Sequence, residues 1–314
     1  MMNKFNSQTF KTRDAASYDS VTEQFDYFTE RLTRPLAARM VELAEISPNE
    51  KILDVGTGTG VVALQAARTA AKTVCGIDLS REMLAKAEEK ARQLKVEQKV
   101  KFRRMDAEAL DFENEKFDAA VSLFALLHFP NPLTALREIF RVLRPDGRLV
   151  IAVGSGVPIF SPSGWFHILK KTPDILQRLQ GKQLVAPHFL DSSVNKNIPQ
   201  TDEPEEPHLA SSRRNRTQSL RLLVEKAGFE ILKTDWRGHQ ETIETPEEFW
   251  EIQRTFSSIA RKRLASVPDD KLESLHAAFL EECRAIQSRG GCLVYPFGAF
   301  YVAARRRKLE ENNT

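Results

Sequence analysis

The first segment that could do chemistry is a glycine cluster at residues 56, 58 and 60, preceded by Asp54. Because glycine has no Cβ, the backbone there can turn sharply and a ligand can approach it closely. The dinucleotide loop G-x-G-x-x-G has a wider spacing and cradles a pyrophosphate. An acidic residue inside the loop suits a cationic ammonium group instead. The pattern therefore favours a ligand with an amino-acid end over one with phosphates.

Three more residues follow the next apolar runs along the chain. Asp78 ends the second run, where a carboxylate can accept both hydroxyls of a ribose, as it does in NAD and adenosylmethionine sites alike. Asp106 follows the third run, where its side chain could accept the exocyclic amine of adenine. Leu123 stands at the end of the fourth run, where it should line a methionine portion. Together they indicate a nucleoside ligand joined to an amino acid.

Alternating strand and helix patterns position these residues. Short apolar runs and longer amphipathic segments alternate between residues 51 and 154, which is typical of a doubly wound α/β sheet. Ligands of such sheets bind at the carboxyl ends of the strands, so the acidic residues should meet at one edge. The predicted strands are 51–55, 73–78, 99–105, 116–126 and 148–154, and the predicted helices are 61–71, 80–94 and 131–143.

The remainder of the chain predicts a cover, two insertions and the end of the sheet. We expect helices over 246–265 and 269–288, and a last strand over 292–306 that Pro-Phe-Gly interrupts. The predicted organisation is an N-terminal helical cover (1–50), a cofactor-binding core (51–154), an insertion or lid with an acidic loop (155–217), a core helix and strand (218–239), a helical insertion (240–291), and a last strand with a basic tail (292–314). The role of 190–212 stays open.

Composition excludes several classes of protein. The 314 residues carry 46 basic and 43 acidic side chains, a net charge of +3, which does not indicate a general nucleic-acid binder. Three widely spaced cysteines argue against a disulfide scaffold or a cysteine-rich zinc site. No run of eighteen apolar residues predicts a membrane span, and the first residues lack the apolar stretch of a secretory signal. We therefore expect a reduced, cytoplasmic protein.

Taken in order, the motifs resemble those of class I S-adenosylmethionine-dependent methyltransferases. The similarity is to the small-molecule group that includes the ubiquinone/menaquinone-biosynthesis C-methyltransferases, and it covers residues 18–154 and, more weakly, 218–236. The segment 18–28 is similar to the family's N-terminal helix over the cofactor, but Phe25 stands where a tyrosine is common. The motifs are ILDVGTGTG, GIDLS, RRMDAEAL, FDAAVSLFALLHF and LRPDGRLVI.

The resemblance implies a seven-stranded, mostly parallel sheet with helical insertions as a substrate lid, and S-adenosyl-L-methionine as cofactor. It assigns Asp54, Gly56 and Gly58 to the amino-acid end of the cofactor, within a loop that also contributes Thr57 and Gly60. It assigns Asp78 to the ribose, Leu79 and Met83 to packing against adenine, Asp106 and Ala107 to the adenine edge, and Leu123 to the methionine segment.

No catalytic residue is assigned by these motifs. His128 follows the fourth strand and is a candidate base, although a histidine bonded to backbone is the plainer interpretation. His239 is a slightly weaker candidate for a base than His128. The remaining histidines lack metal-ligand spacing, so no metal site is predicted. Arg213, Arg214 and Arg216 and the run 305–308 fit a solvated surface. The aromatic residues that would suit an apolar substrate pocket are Trp165, Phe166, Trp236, Phe249 and Trp250.

The function predicted from these observations is methyl transfer to a small, apolar or aromatic acceptor, on carbon or oxygen. Phe25, Phe28 and Phe124 could favour a cationic sulfonium through their ring faces. The alternatives are an RNA methyltransferase, a nicotinamide-dependent oxidoreductase and a non-catalytic binding module. A small-molecule substrate is expected as partner, and no nucleic acid. The acceptor's identity, nitrogen methylation and a homodimer stay open.

Overall fold

The computed structural model describes residues 6–156, 183–185, 189–198 and 213–307, and the strands in these ranges form one sheet. The sheet order is β3-β2-β1-β4-β5-β8-β6, and β7 also pairs with β8. Strands β1 to β5 are parallel, whereas β8 runs antiparallel to both β5 and β7. The strands are β1 (Lys51–Val55), β2 (Thr73–Asp78), β3 (Val100–Arg104), β4 (Phe117–Leu123), β5 (Leu143–Gly154), β6 (Gln183–Val185), β7 (Phe229–Ile243) and β8 (Cys292–Arg306).

The predicted doubly wound, mostly parallel sheet is confirmed. Seven strands form the expected sheet, and β6 adds an eighth, short strand from the insertion 155–217. Its three residues pair in parallel with the first residues of β8. Because β7 pairs with β8 along nearly its whole length, the insertion adds its strand on the β5 side of β8, and β7 forms the edge farthest from β3.

Helices cover both faces and the carboxyl edge of the sheet. The 80–94 prediction holds within a residue or so at each end, because Ser80 caps α5 by accepting the Met83 N–H at 3.1 Å. The helices are α1 (Ser7–Asp19), α2 (Thr22–Phe28), α3 (Arg34–Leu43), α4 (Val61–Ala67), α5 (Arg81–Gln93), α6 (Pro132–Val142), α7 (Phe189–Asn197), α8 (Arg213–Lys226), α9 (Pro246–Phe256), α10 (Ser258–Leu264) and α11 (Asp269–Ser288), with a π-helical turn at Thr29–Thr33 and a 3₁₀ turn at Leu126–His128.

The helix expected over 246–265 is two helices. Ser257 adopts an extended backbone (φ −87°, ψ 112°), which ends α9, and its side chain accepts the Ala260 N–H at 3.0 Å to cap α10. The short side chain that competes with helical hydrogen bonds thus turns the chain at this point. This break places the basic residues of α10 against the N-terminal helices.

The Pro-Phe-Gly interruption expected in the last strand is absent, because β8 continues through it. The Gly298 carbonyl accepts the Ser155 N–H, so the backbone groups of Gly298 face β5. Backbone groups of every second residue of a strand face the same side, so those of the even-numbered residues of β8 face the β5 side as well. Pro296 is one of them, and it falls between the stretches of β8 that pair with β6 and with β5. A proline is tolerated there because, in the part of the chain that the structure describes, no strand pairs with it on that side and needs its N–H.

An apolar cluster separate from the packing on the parallel strands joins the helices α7, α9, α10 and α11 to the start of β8. Phe249 and Trp250 are buried in this cluster and contact Phe279, so the expectation that they form a substrate pocket is wrong. Both rings are instead the core of the helical insertion. None of the helices in the described ranges is long and apolar enough to cross a membrane.

Candidate functional site

The glycine loop after β1 is held by backbone contacts to the neighbouring strand. The N–H groups of Gly56 and Thr57 both donate to the Ile77 carbonyl at 2.9 Å. Gly56, Gly58 and Gly60 have φ values of +71°, +53° and +84°, a left-handed backbone that favours glycine. The loop therefore leads from β1 into α4 with its shape fixed by the sheet.

Asp54 organises this loop from within. Its side chain is 1% exposed, and its Oδ2 accepts the Thr57 hydroxyl at 2.7 Å and the Ala63 N–H at 3.0 Å. Burial raises the pKa of Asp54 to about 7, although these two hydrogen bonds act in the opposite direction. The predicted contact of Asp54 with a cationic ligand stays a prediction, and its present partners belong to the loop and to the first turn of α4.

Asp78 stands at the tip of β2, directly against the glycine loop. Its Oδ2 accepts the Gly58 N–H at 2.9 Å, and its Oδ1 accepts the Ser80 N–H at 3.0 Å. Burial raises the pKa of this carboxyl, and the backbone hydrogen bonds oppose the effect. Each oxygen is held by one backbone donor and keeps lone-pair capacity for another. The carboxylate is thus oriented to accept two hydroxyls side by side.

Further along this edge, α1 closes over the tip of β3. Lys11 donates to Asp106 and to Glu108, each at 2.7 Å, and Asp106 also accepts the Glu108 N–H at 2.9 Å. Met83 of α5 and Ala107 are both buried. The Asp106 carboxylate is therefore already engaged by the cover, and its contact with an adenine edge stays a prediction, as do the contacts of Leu79, Met83, Ala107 and Leu123.

A carboxylate, an imidazole and a phenol meet beyond the tip of β4. His128 Nδ1 lies 3.1 Å from Asp14 Oδ2, and His128 Nε2 lies 3.1 Å from the Tyr18 hydroxyl. The plainer interpretation of His128, a bond to backbone, does not describe its ring contacts. Lys262 of α10 also contacts the Asp14 carboxylate, at 2.8 Å. We call Asp14, Tyr18 and His128 the polar triad.

The charges of the polar triad fix its proton positions. Burial acts to raise the pKa of Asp14, but His128 and Lys262 outweigh it and bring that pKa well below its ordinary value. An ionised carboxylate only accepts, so Nδ1 of His128 is the donor in its contact with Asp14, and in the neutral ring with that proton Nε2 is free to accept the Tyr18 O–H. Burial chiefly raises the pKa of Tyr18 to about 12, so the phenol stays protonated at neutral pH.

Aromatic rings extend from the polar triad across the carboxyl edge of the sheet. Tyr18 meets Phe25 edge-on with ring centroids 5.4 Å apart, and Phe25 meets Phe256 at 5.6 Å. Phe256 in turn packs on Phe297 at 5.5 Å. We call Tyr18, Phe25, Phe256 and Phe297 the aromatic wall. It brings together α1, α2, α9 and β8, and its member Phe25 lies 3.7 Å from where a Cβ on Gly58 would be.

The other histidine and tryptophan residues predicted from the sequence lie away from the polar triad or outside the described residues. His239 stacks on Phe297 with ring centroids 5.7 Å apart, outside the polar triad. Trp236 is buried on β7. Trp165, Phe166, His167, His188, His208 and Lys308 lie outside the described residues. Sequence reasoning missed Asp14 and Lys11, because nothing in an isolated helix shows which strand tips it covers.

Gly56 and Gly58 give a prediction about how tightly two positions of the same loop are packed. A Cβ at Gly56 would lie 2.2 Å from Ala125 Cβ, whereas a Cβ at Gly58 would meet only Phe25, at 3.7 Å. We expect Gly56→Ala to lower the free energy of unfolding by about 3 kcal/mol and Gly58→Ala by about 1 kcal/mol. Denaturant unfolding measures both, and equal losses would contradict the packing described for this loop.

Comparisons with known proteins agree with this arrangement. A family model described as a methyltransferase domain matches residues 53–151. Demethylmenaquinone methyltransferase from Lactiplantibacillus plantarum is 30% identical over 220 residues, covering 69% of this chain and 84% of that protein. Methyltransferase GfsG from Streptomyces halstedii is 35% identical over 139 residues, covering 44% of this chain and 47% of that protein.

A solved structure of a Bacillus halodurans protein assigned as a methyltransferase shares the fold. Its TM-score is 0.54 at 20% identity, over 87% of this chain and 99% of that chain. The chain spans about half the length of several of the curated relatives that it matches. The sheet, the glycine loop and the matched segment therefore point to one family.

Proposed function

Because this chain belongs to the class I S-adenosylmethionine-dependent methyltransferase family, we propose that it transfers a methyl group from S-adenosyl-L-methionine to a small organic acceptor. The observation that carries the proposal is the pairing of the Asp78 carboxylate with the Gly58 N–H at the tip of β2. This pair puts a carboxylate that can bind hydroxyls beside a loop whose backbone a ligand can approach closely.

The residues of the loop fit such a cofactor. Gly58 presents a bare backbone, and of the described residues only Phe25 comes within 4 Å of where its Cβ would be. The Thr59 hydroxyl is buried, 1% exposed, with no hydrogen-bond partner among the described residues. A buried hydroxyl without a partner is costly, and a polar ligand in the loop would relieve it. Asp78 would hold the ribose, and Asp54 would face the ammonium end through the loop.

When bound, S-adenosyl-L-methionine supplies a methyl group on a positively charged sulfur. The chain's own contribution is to position the acceptor, exclude water and move a proton. The Tyr18 oxygen can take a proton from an acceptor hydroxyl while its own proton passes to His128 Nε2. Asp14 holds the Nδ1–H of His128 and stabilises the charge that forms on the ring.

The acceptor that this site favours contains an aromatic or extended apolar part. The aromatic wall offers ring faces and edges on the side of the cofactor loop where the acceptor must enter. A ubiquinone/menaquinone biosynthesis C-methyltransferase and two O-methyltransferases are among the relatives, in keeping with carbon or oxygen as the methylated atom, and a phosphatidylethanolamine N-methyltransferase is among them too. The comparisons support none of the alternatives of an RNA methyltransferase, a nicotinamide-dependent oxidoreductase or a non-catalytic module.

Isothermal calorimetry with S-adenosylhomocysteine and with NADH tests the proposed function. We expect micromolar binding of S-adenosylhomocysteine and no heat with NADH, because the loop suits an ammonium group rather than a pyrophosphate. Binding of NADH without S-adenosylhomocysteine would overturn the proposal.

The raised pKa of Asp54 makes cofactor affinity depend on pH. Below pH 7 Asp54 holds a proton that a nearby ammonium group would expel, so binding must release that proton. We expect the affinity for S-adenosylhomocysteine to rise roughly tenfold from pH 6 to pH 8. Calorimetry across this range measures it, with Asp54→Asn as the control that keeps an acceptor for Thr57. An equally steep pH dependence in the Asn variant would contradict the assignment.

A further inference from the structure

Arg261, on α10, is a buried cation whose hydrogen bonds are incomplete. Its side chain is 5% exposed. Its Nη1 donates to the Thr255 carbonyl, but its Nε and Nη2 have no hydrogen-bond partner among the described residues. Within the same ranges Arg261 forms no ion pair. A guanidinium has five N–H donors and cannot lose its charge, so this burial is costly unless an acceptor is supplied.

The neighbouring basic residues do not share this state. Lys262, the next residue of α10, is paired with Asp14 at 2.8 Å. Arg254 and Arg305 each also have a buried Nε without an acceptor, but they are paired with Glu251 and Glu230, each at 3.0 Å. Arg261 is thus the arginine of this group whose charge the described chain leaves uncompensated.

The position of Arg261 relates this charge to the proposed chemistry. Its guanidinium carbon lies 4.0 Å from the centre of the Tyr18 ring. The Tyr18 hydroxyl contacts His128 Nε2, and the Tyr18 ring meets Phe25 beside the glycine loop. The guanidinium lies against the Tyr18 ring, and a ring face is a poor acceptor for N–H groups. Among the described residues nothing supplies the acceptor that these donors need, and an oxyanion next to the aromatic wall would supply it.

We propose that Arg261 binds an anionic oxygen group of the methyl acceptor, a carboxylate or a phosphate, so that the acceptor is an aromatic or apolar molecule carrying a negative charge. The inference rests on the proposed function, because it takes the space next to Tyr18 as the acceptor site. The Nε and Nη2 N–H groups of one guanidinium can form a bidentate pair of hydrogen bonds with two oxygens of such a group. Charge would then orient the acceptor, while the aromatic wall holds its ring.

Binding of matched probes to the protein saturated with S-adenosylhomocysteine tests the proposal. The probes are 2-naphthoate, 2-naphthyl phosphate and the neutral 2-naphthamide, measured by calorimetry. We expect one or both anions to bind at least about tenfold more tightly than the amide. A preference for one anion identifies the carboxylate or the phosphate as the group recognised. The variant Arg261→Gln should abolish the preference, and Arg261→Lys should retain part of it.

The matched control is Arg254→Gln, since Arg254 also has a buried Nε but is paired with Glu251. It should keep the preference for the anion. Equal binding of anion and amide by the unchanged protein, or no binding of either anion, would overturn the proposal. So would a preference that survives Arg261→Gln. S-adenosylhomocysteine binding, measured first in each variant, shows separately whether the proposed function itself fails.

Discussion

Replacing Asp78 by alanine should weaken the binding of S-adenosylhomocysteine by about 100-fold or more. Two hydrogen bonds from ribose hydroxyls to a carboxylate are each worth about 1.5–3 kcal/mol, and about 1.4 kcal/mol corresponds to tenfold in affinity. The same variant leaves the Gly58 and Ser80 N–H groups without their acceptor, so the loop loses its orientation as well. Calorimetry measures the affinity, and circular dichroism with thermal unfolding shows whether the sheet persists.

Asp118 supplies the matched control for this experiment. Its carboxylate also accepts a backbone N–H, that of Lys51 at 2.7 Å, and pairs with Arg144 at 2.6 Å. It lies at the amino end of β4, the edge opposite to Asp78. Asp118→Ala should lose stability without losing cofactor affinity. An unchanged affinity in a folded Asp78→Ala protein would show that the nucleoside does not bind at the tip of β2.

Replacing His128 by alanine should lower the methylation rate of a phenolic acceptor by about 100-fold or more, with cofactor affinity little changed. General acid–base groups contribute roughly 10²–10⁴-fold, and without His128 the Tyr18 proton has no acceptor within the polar triad. The assay follows S-adenosylhomocysteine release with the fastest member of a panel of phenols. Added imidazole should restore part of the rate, because it can occupy the space of the missing ring and take the proton.

Two further variants define the role of His128. Tyr18→Phe should also slow methylation, since it removes the hydroxyl between acceptor and imidazole, but imidazole should not rescue it. His276→Gln is the matched control, because His276 packs on Trp250 in the helical insertion at 4.7 Å between ring centroids. A His128→Ala enzyme with the full rate would remove the polar triad from the mechanism, and a slow one that imidazole fails to restore would make His128 structural.

The parts of the fold that the sequence could predict are those specified by local patterns. The apolar runs of β1 and β2 and the capped start of α5 appear within a residue or two of where periodicity puts them. The loop after β1 could also be predicted from its glycines, because a left-handed backbone at alternate positions favours that residue type. The strand tips carrying Asp54 and Asp78 follow from the parallel order of the sheet.

The parts that escaped prediction are contacts between distant segments. The bond between Tyr18 and His128 joins residues that are 110 positions apart, and the contact of Arg261 with Tyr18 spans more than twice that distance along the chain. The periodicity of α1 is weak, so the sequence does not show which of its faces meets the sheet. Pro296 misled for a related reason, since a proline breaks a strand only where a partner needs its N–H.

The origin of the polar triad has a consequence for when the proposed reaction can take place. His128 extends from the sheet, but Asp14 and Tyr18 belong to α1, which also holds the strand tips through Lys11. With α1 undocked, the glycine loop and Asp78 would still stand at the sheet edge, while the proton path would be incomplete. A methyl donor could then still bind, but Tyr18 and Asp14 would be away from His128, so the proposed proton transfer between them could not take place. Under the proposed mechanism, methyl transfer that uses this proton path is therefore confined to the state in which α1 is docked.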